Sequence, residues 1–267
     1  MKIFGQLSCA LKNQQVGNVR LRGTAAAIHI SCTFCVALVA FLLIRLVWYP
    51  DFFWQIAGGS EFFLLICSVD AALGPSLTFA VFNPAKGLRR LKFDLSIIFV
   101  LQLVAFAYGL STAASVRPLF LVYSVDRFNL VTAMDIDKKD LATAEIPQFR
   151  SLSWARPQII GTREPKNSSE KLELIDSALA GRDRHFFPKT YVNLAQVRWE
   201  IVAKSQPLAR LKAMAGRPAD LVREAEARHL ATHSKLGFVP VIAQGEWVML
   251  VDGTSGELLE VLPIDSF

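Results

Sequence analysis

Two histidines four residues apart, His229 and His233, lie on a stretch patterned as a helix and have the spacing with which zinc proteases hold their metal. The residues between them are Leu-Ala-Thr, with no glutamate to serve as base and no evident third ligand, so a solvated helix face accounts for them better. Cys32 and Cys35 have CxxC spacing, but without a second pair they read as small packing residues on a lipid-embedded helix. Asp70 is the one acid well inside an apolar run, whereas an intramembrane aspartyl protease needs two carboxylates sharing a site. There is no Gly-x-Ser-x-Gly elbow and no phosphate-binding loop. The sequence therefore predicts no enzyme, no metal and no cofactor, and points to recognition as the chemistry of its unusual residues.

The elements that must position Asp70 are apolar. Of 267 residues 52% are hydrophobic, and the excess sits in three blocks, Thr24 to Trp48, Phe62 to Phe82 and Leu95 to Val116. Each is about the length a helix needs to cross a ~30 Å hydrocarbon core. The chain divides into a lead (1–23), a three-helix transmembrane region (24–116) and an extracytoplasmic domain (117–267). The polar lead and the length of the first block argue against a cleaved signal peptide. Ile3, Phe4, Leu7 and Leu11 suggest a short helix on the membrane surface within the lead.

Lys2, Lys12, Arg20 and Arg22 precede the first block, and Lys86, Arg89, Arg90 and Lys92 crowd the connection between the second and third. The intervening connection, Tyr49 to Glu61, has Asp51 and Glu61 and no Lys or Arg. Positive residues near span ends stay inside, so the amino terminus is expected in the cytoplasm, the globular half in the periplasm and the chain in a bacterial inner membrane, among its lipids. The aromatic group Trp48, Tyr49, Phe52, Phe53 and Trp54 fits the outer headgroup layer, and Arg45 can snorkel there. Up to Asp94 the charge balance is +5 and beyond it +1, so the net +6 is topological and gives no surface for nucleic acid.

An ionised carboxylate in a bilayer costs about 2.5 to 3.5 kcal/mol, so Asp70 should face protein. Candidate partners are Gln102 and Tyr108 on the third span and Ser31 on the first. Asp70 reads as hydrogen-bonded glue between helices, as a meeting point for a polar group on a partner's transmembrane helix, or as a proton-handling group. Pro75 should kink the second span, Ser76 and Thr78 can satisfy the freed carbonyls, and Gly74 leaves a surface another helix can approach closely.

Trp48-Tyr49-Pro50, Gly58-Gly59, Val69-Asp70-Ala71-Ala72-Leu73-Gly74-Pro75, the loop Phe82 to Asp94, Gln102, Tyr108-Gly109, Arg117-Pro118, Asp126-Arg127-Phe128 and Asp135-Ile136, resumed at Gly237-Phe238-Val239-Pro240 and Val251 to Glu257, together resemble the TfpX/TfpZ family of type IV pilin accessory proteins. The resemblance is dense to about residue 140 and thin from Leu141 to Leu236. It implies an inner-membrane protein that helps a cognate major pilin accumulate or assemble, with no catalytic residues. A chaperone or adaptor touching the pilin at both helix and head would gain effective concentration for the second contact. Asp70, Gly74, Pro75, Gln102 and Tyr108 are the candidate partner-binding residues in the membrane. Arg117, Asp126 and Arg127, with Asp135, are those outside it, either as salt bridges seating the domain where the third span joins the sheet or as a docking surface. A membrane-anchored sensor or ligand-binding module is the rival reading, opposed by the small cytoplasmic segments.

The outer domain reads as α+β with an antiparallel sheet. Pro118 to Val125 and Phe128 to Met134, with Asp126-Arg127 as a local break, read as two strands or one bulged strand. Asn167 caps a helix ending before Gly181, with Leu172, Leu174, Ile175 and Leu179 as its apolar side. Helices follow around Leu194 to Lys204 and Leu208 to Ala215, and from Pro218 to about His233. Phe238 to Ala243, Glu246 to Val251 and Leu258 to Leu262 form an antiparallel meander, and Gln148 to Ser169 is an exposed loop.

Overall fold

A computed structural model describes residues 2–83, 87–214 and 219–266, which form two units. Lys86 and Pro218 lie outside the described residues.

The first unit, residues 1–44 and 60–114, is helical. It is built from α1 (Lys2–Leu43), α3 (Gly59–Val81) and α4 (Leu88–Ser115). The lead is not a separate surface helix, because α1 runs unbroken from Lys2, with no proline to interrupt it. Two stretches are long and apolar enough to cross a membrane, Val19–Trp48 and Arg89–Ser115. Their outward residues, such as Val39, Phe99 and Val104, are exposed, as suits contact with lipid. Among the described residues the apolar stretch of α3 that qualifies is the shorter Ala72–Val81, which leaves two candidate spans among them where the sequence predicts three.

The second unit, residues 45–59 and 115–267, is a mixed α/β domain. Strands β1 (Pro118–Ser124) and β2 (Arg127–Thr132) form an antiparallel hairpin, the two-strand alternative of the sequence reading. The segment expected to be a loop contains β3 (Gln158–Thr162), which pairs parallel with β1. Its five residues follow Pro157 and include Gly161, too short a run to show a period. After α6 (Ser168–Leu179) come β4 (Tyr191–Asn193), α7 (Leu194–Lys204), β5 (Gln206–Pro207), α8 (Leu208–Met214) and α9 (Ala219–His229). The chain closes with the antiparallel meander β6 (Leu236–Ala243), β7 (Gly245–Asp252) and β8 (Leu258–Leu262). Among the described residues the sheet order is β4-β3-β1-β2-β6-β7-β8, with β5 beside β6. Because β1 with β3 and β2 with β6 run parallel, the sheet is mixed and not the antiparallel one expected.

Sheet alternation divides the core. Leu121, Tyr123 and Phe128 point to one face, under α7, whereas Phe120, Val122 and Val131 point to the other. The first face is completed from far away in sequence. Residues 45–59, which join α1 to α3 and carry the short helix α2 (Phe53–Ile56), insert Phe53 and Ile56 into the cluster of Leu121, Tyr123, Phe128 and Val241. The Gln244 N–H donates to Ile56 O at 2.9 Å. Gly58 has φ 64°, and a Cβ there would meet the Gln244 side chain at 1.6 Å, so the turn out of this clasp needs glycine. Trp48 and Tyr49 are buried as well, with Trp48 against Trp154. Trp48, Tyr49 and Phe53 therefore pack into a protein core instead of presenting their rings to headgroups, and Phe52 and Trp54 are half-buried. Arg45 donates to Tyr49 O and lies over Trp54 rather than reaching outward alone.

Candidate functional site

In the helical unit three polar side chains from three helices meet. His29 of α1 is hydrogen-bonded through Nδ1 to Thr78 Oγ1 of α3 (2.6 Å) and through Nε2 to Gln102 Oε1 of α4 (2.7 Å). An amide oxygen only accepts, so Nε2–H donates to Gln102, while Nδ1 shares the second hydrogen bond with the Thr78 hydroxyl. The imidazole ties all three helices together. Gly74, one turn before Thr78, makes room for it, since a Cβ there would lie 2.0 Å from Gln102 Nε2 and 3.0 Å from His29 Nε2. Helix α3 continues through Pro75, and the Ser76 hydroxyl donates to Ala72 O of its own helix.

Beside this tie runs an apolar groove of about 580 Å³. On α1 it is lined by the stripe His29, Thr33, Ala37 and Phe41, spaced four apart on one helix face, with Pro75 of α3 and Phe106 of α4 opposite. Phe41 and Phe63 close one end with an edge contact at 4.9 Å. The groove is a hydrocarbon-like trough with a single polar spot, which suits an apolar helix carrying few polar groups.

The structure thus brings Gly74, Pro75 and Gln102 together, as the sequence suggested, but around His29. The side chain of Asp70 lies outside the described residues. Tyr108 is 77% exposed and does not face the unit's interior, and Ser31 bonds to Ala27 O of its own helix. His29 is not among the candidate partners that the sequence offers for Asp70. Its signal was available: a histidine in a predicted span, with Thr33 and Ala37 on the same stripe.

In the α/β unit Arg117 is buried at 4% exposure, donates through Nε and Nη2 to Ser153 O (3.3 and 3.0 Å), and stacks on Trp154 at 4.3 Å. Burial lowers its pKa, opposed by the neighbouring Tyr49. Burial likewise pushes the Tyr49 phenol up to about 12, and its hydroxyl donates to Val116 O. Asp126 and Arg127 pair with each other at 2.8 Å in the β1–β2 turn. That turn is at the far end of a seven-residue strand from Arg117, about 20 Å away. They therefore do not join Arg117 in a single cluster where α4 enters the sheet, and that expectation is corrected. Asp135 accepts from Thr132 N and Oγ1 at 2.7 and 2.6 Å and closes the end of β2. Asp126 and Arg127 instead edge a cleft of about 650 Å³ within the domain.

His229 and His233 do not share a site. His229 pairs with Glu260 at 3.0 Å and His233 with Asp252 at 3.2 Å, each joining α9 or its end to the final meander. Among the described residues no group of three His, Cys, Asp or Glu side chains is placed to hold a metal.

Comparison with known proteins adds what geometry does not. The profile of the fimbrial assembly protein FimB family matches residues 17–58, a segment that contains His29 and nearly all of the clasp. The chain is 30% identical over 246 residues to "Fimbrial assembly protein, serogroup I" of Dichelobacter nodosus, covering 91% of this chain and 95% of that one. It is 29% identical over 245 residues to the serogroup E1 protein of the same organism, with the same coverage. It is also 35% identical over 123 residues to the protein of serogroups C1 and C2, covering 46% of this chain and 90% of that one. No solved structure matches.

Proposed function

We propose, for a chain that belongs to the fimbrial assembly protein FimB family, a role as a membrane-bound accessory protein of type IV fimbriae. In this reading it receives the apolar helix of a major pilin in the groove of its helical unit and protects or passes on the subunit, a task of binding without catalysis. This is the role that the TfpX/TfpZ-like motifs imply. The observation that carries it is the trough beside the His29–Thr78 and His29–Gln102 tie, apolar along its length and polar at one point.

The clasp supports three crossings. Residues 45–59 and 115–267 fold into one unit and so share one side of the membrane. The chain between them, α3 and α4, must then cross an even number of times. With α4 a candidate span, α3 makes the return. The basic residues Arg20, Arg22, Arg89 and Arg90 support a cytoplasmic location for the other side, and with it the reading of the α/β domain as periplasmic in an inner-membrane protein.

The test is a photo-crosslinking amino acid at Leu103 in the groove, compared with the outward-facing Val104, in cells making fimbriae. An adduct with the pilin from Leu103 and not from Val104 is expected. Equal labelling at both positions, or pilin adducts at neither, would refute the groove as the receiving surface.

A further inference from the structure

We propose that the outward face of α6 is an interface between two copies of this chain, in which α6 lies parallel to its counterpart; the proposal goes beyond the fimbrial reading and does not rest on it. Of the four residues that the sequence predicts as the apolar side of this helix, only Leu174 is buried. Leu172, Ile175 and Leu179 are 61%, 45% and 84% exposed. Their spacing of three and then four residues sets them in one row, the a-d-a seam of a heptad. Three large apolar side chains in one row of a 12-residue helix form a contiguous patch, and such patches mark contact surfaces.

Charge identifies the occupant. Heptad numbering from Leu172 puts Lys171 at g and Asp176 at e, on opposite flanks of the seam. In a parallel pair the g residue of one helix meets the e residue five positions on in the other, so Lys171 of each copy reaches Asp176 of its counterpart, twice by symmetry. An antiparallel pair would set each flank against itself, one Lys171 beside the other. Both residues are exposed, and among the described residues neither takes part in an ion pair or a side-chain hydrogen bond. No residue three or four positions away on α6 offers either of them an opposite charge. The other acids of the helix are already used, Glu170 with Arg163 at 2.9 Å and Glu173 with Lys189 at 2.7 Å. The charges left over on α6 are thus one cation and one anion, and they flank the bare stripe.

Buried Leu174 and the Arg163–Glu170 pair hold another side of α6 to its own domain. That limits the assembly to two copies, although Leu at a with Ile at d would by itself admit more. A seam of three side chains is short beside the ~1,200 Å² or more that stable complexes bury. Confinement of both copies to one membrane raises their effective concentration and makes so small a contact sufficient.

The test places single cysteines on α6 of a full chain whose four cysteines are replaced by alanine, reconstituted in vesicles of phosphatidylethanolamine and phosphatidylglycerol and then oxidised. Leu172→Cys and Leu179→Cys should each form a disulfide-linked homodimer, whereas Glu173→Cys, on another side of the helix, should not. Added to Leu179→Cys, Ile175→Glu should abolish linking. Lys171→Asp or Asp176→Lys alone should slow it about fivefold, and the two reversals together should restore it. Resistance to proteolysis should stay unchanged throughout, because the substituted side chains are exposed. Linking at neither Leu172→Cys nor Leu179→Cys, equal linking at Glu173→Cys, or charge reversals without effect would overturn the proposal. So would linking only when Leu172→Cys and Leu179→Cys chains are mixed, the mark of an antiparallel pair, or single reversals that the double variant does not rescue. No pilin is present in these vesicles, so failure here leaves the groove of the helical unit untouched, and failure of the Leu103 crosslink leaves this interface untouched.

Discussion

The clasp can be tested by Ile56→Ala. Ile56 is fully buried among Phe53, Val241 and Met249, and its carbonyl accepts from the Gln244 N–H. Truncation removes three carbons, about 2.4 kcal/mol at ~0.8 kcal/mol per buried CH2. The cavity adds to this, and such changes fall at about 2 to 5 kcal/mol. A cost of about 3.5 kcal/mol raises the opening equilibrium of the α/β domain roughly 300-fold. Pulse proteolysis of the full chain in micelles, following cuts between residues 118 and 262, reads that equilibrium. Val39→Ala, on an exposed face of α1, is the control and should change nothing in the domain. If Ile56→Ala altered cleavage less than about threefold, the clasp would not be part of the domain core, and a headgroup position for its aromatics would regain its standing.

Replacing Gln102 by Leu removes the acceptor of His29 Nε2–H, and a double-mutant cycle of Gln102→Leu with His29→Leu should give a coupling of about 0.6 to 1.7 kcal/mol in the thermal stability of the helical unit. Arg117→Lys loses the planar stack on Trp154 and one of two donors to Ser153 O, and should lower the domain's denaturant midpoint by the equivalent of about 1 to 2 kcal/mol. Acid should weaken the domain. Glu170 is held at about 2 chiefly by the Arg163 hydrogen bond, and Asp252 at about 2 chiefly by the Thr254 N–H. Both lie below their ordinary values, so the folded state binds fewer protons; their contribution is complete above about pH 4.5 and disappears as pH falls through 2. Arg163→Gln should flatten the Glu170 share of that slope in an acid titration followed by tryptophan fluorescence.

Several elements were legible because their signals are local. The Asn167 side chain caps α6 as read, accepting from Glu170 N at 2.8 Å, and the last three strands follow the Gly-marked turns. Gly74 and Pro75 were legible as a close-approach surface because glycine and proline carry their geometry with them. What stayed hidden depends on partners distant in sequence. An aromatic run beside a span reads the same whether its rings meet headgroups or a strand two hundred residues later, and only Val241 and Met249 decide for Phe53. The tie at His29 needed residues 78 and 102 to arrive on two other helices. Strand β3 was masked by its proline-rich flank, and with it the parallel pairing that makes the sheet mixed.

Because the clasp precedes nearly everything it packs against, the domain cannot mature in the order in which it is made. Phe53 and Ile56 leave the ribosome roughly two hundred residues ahead of Val261, the last member of their cluster. At about 5 to 20 residues per second that is an interval on the order of ten to forty seconds. During it the clasp waits as bare hydrophobic surface, open to chaperones, proteases or a sister chain. Ordering of the loop is therefore a natural sign that synthesis and insertion are complete.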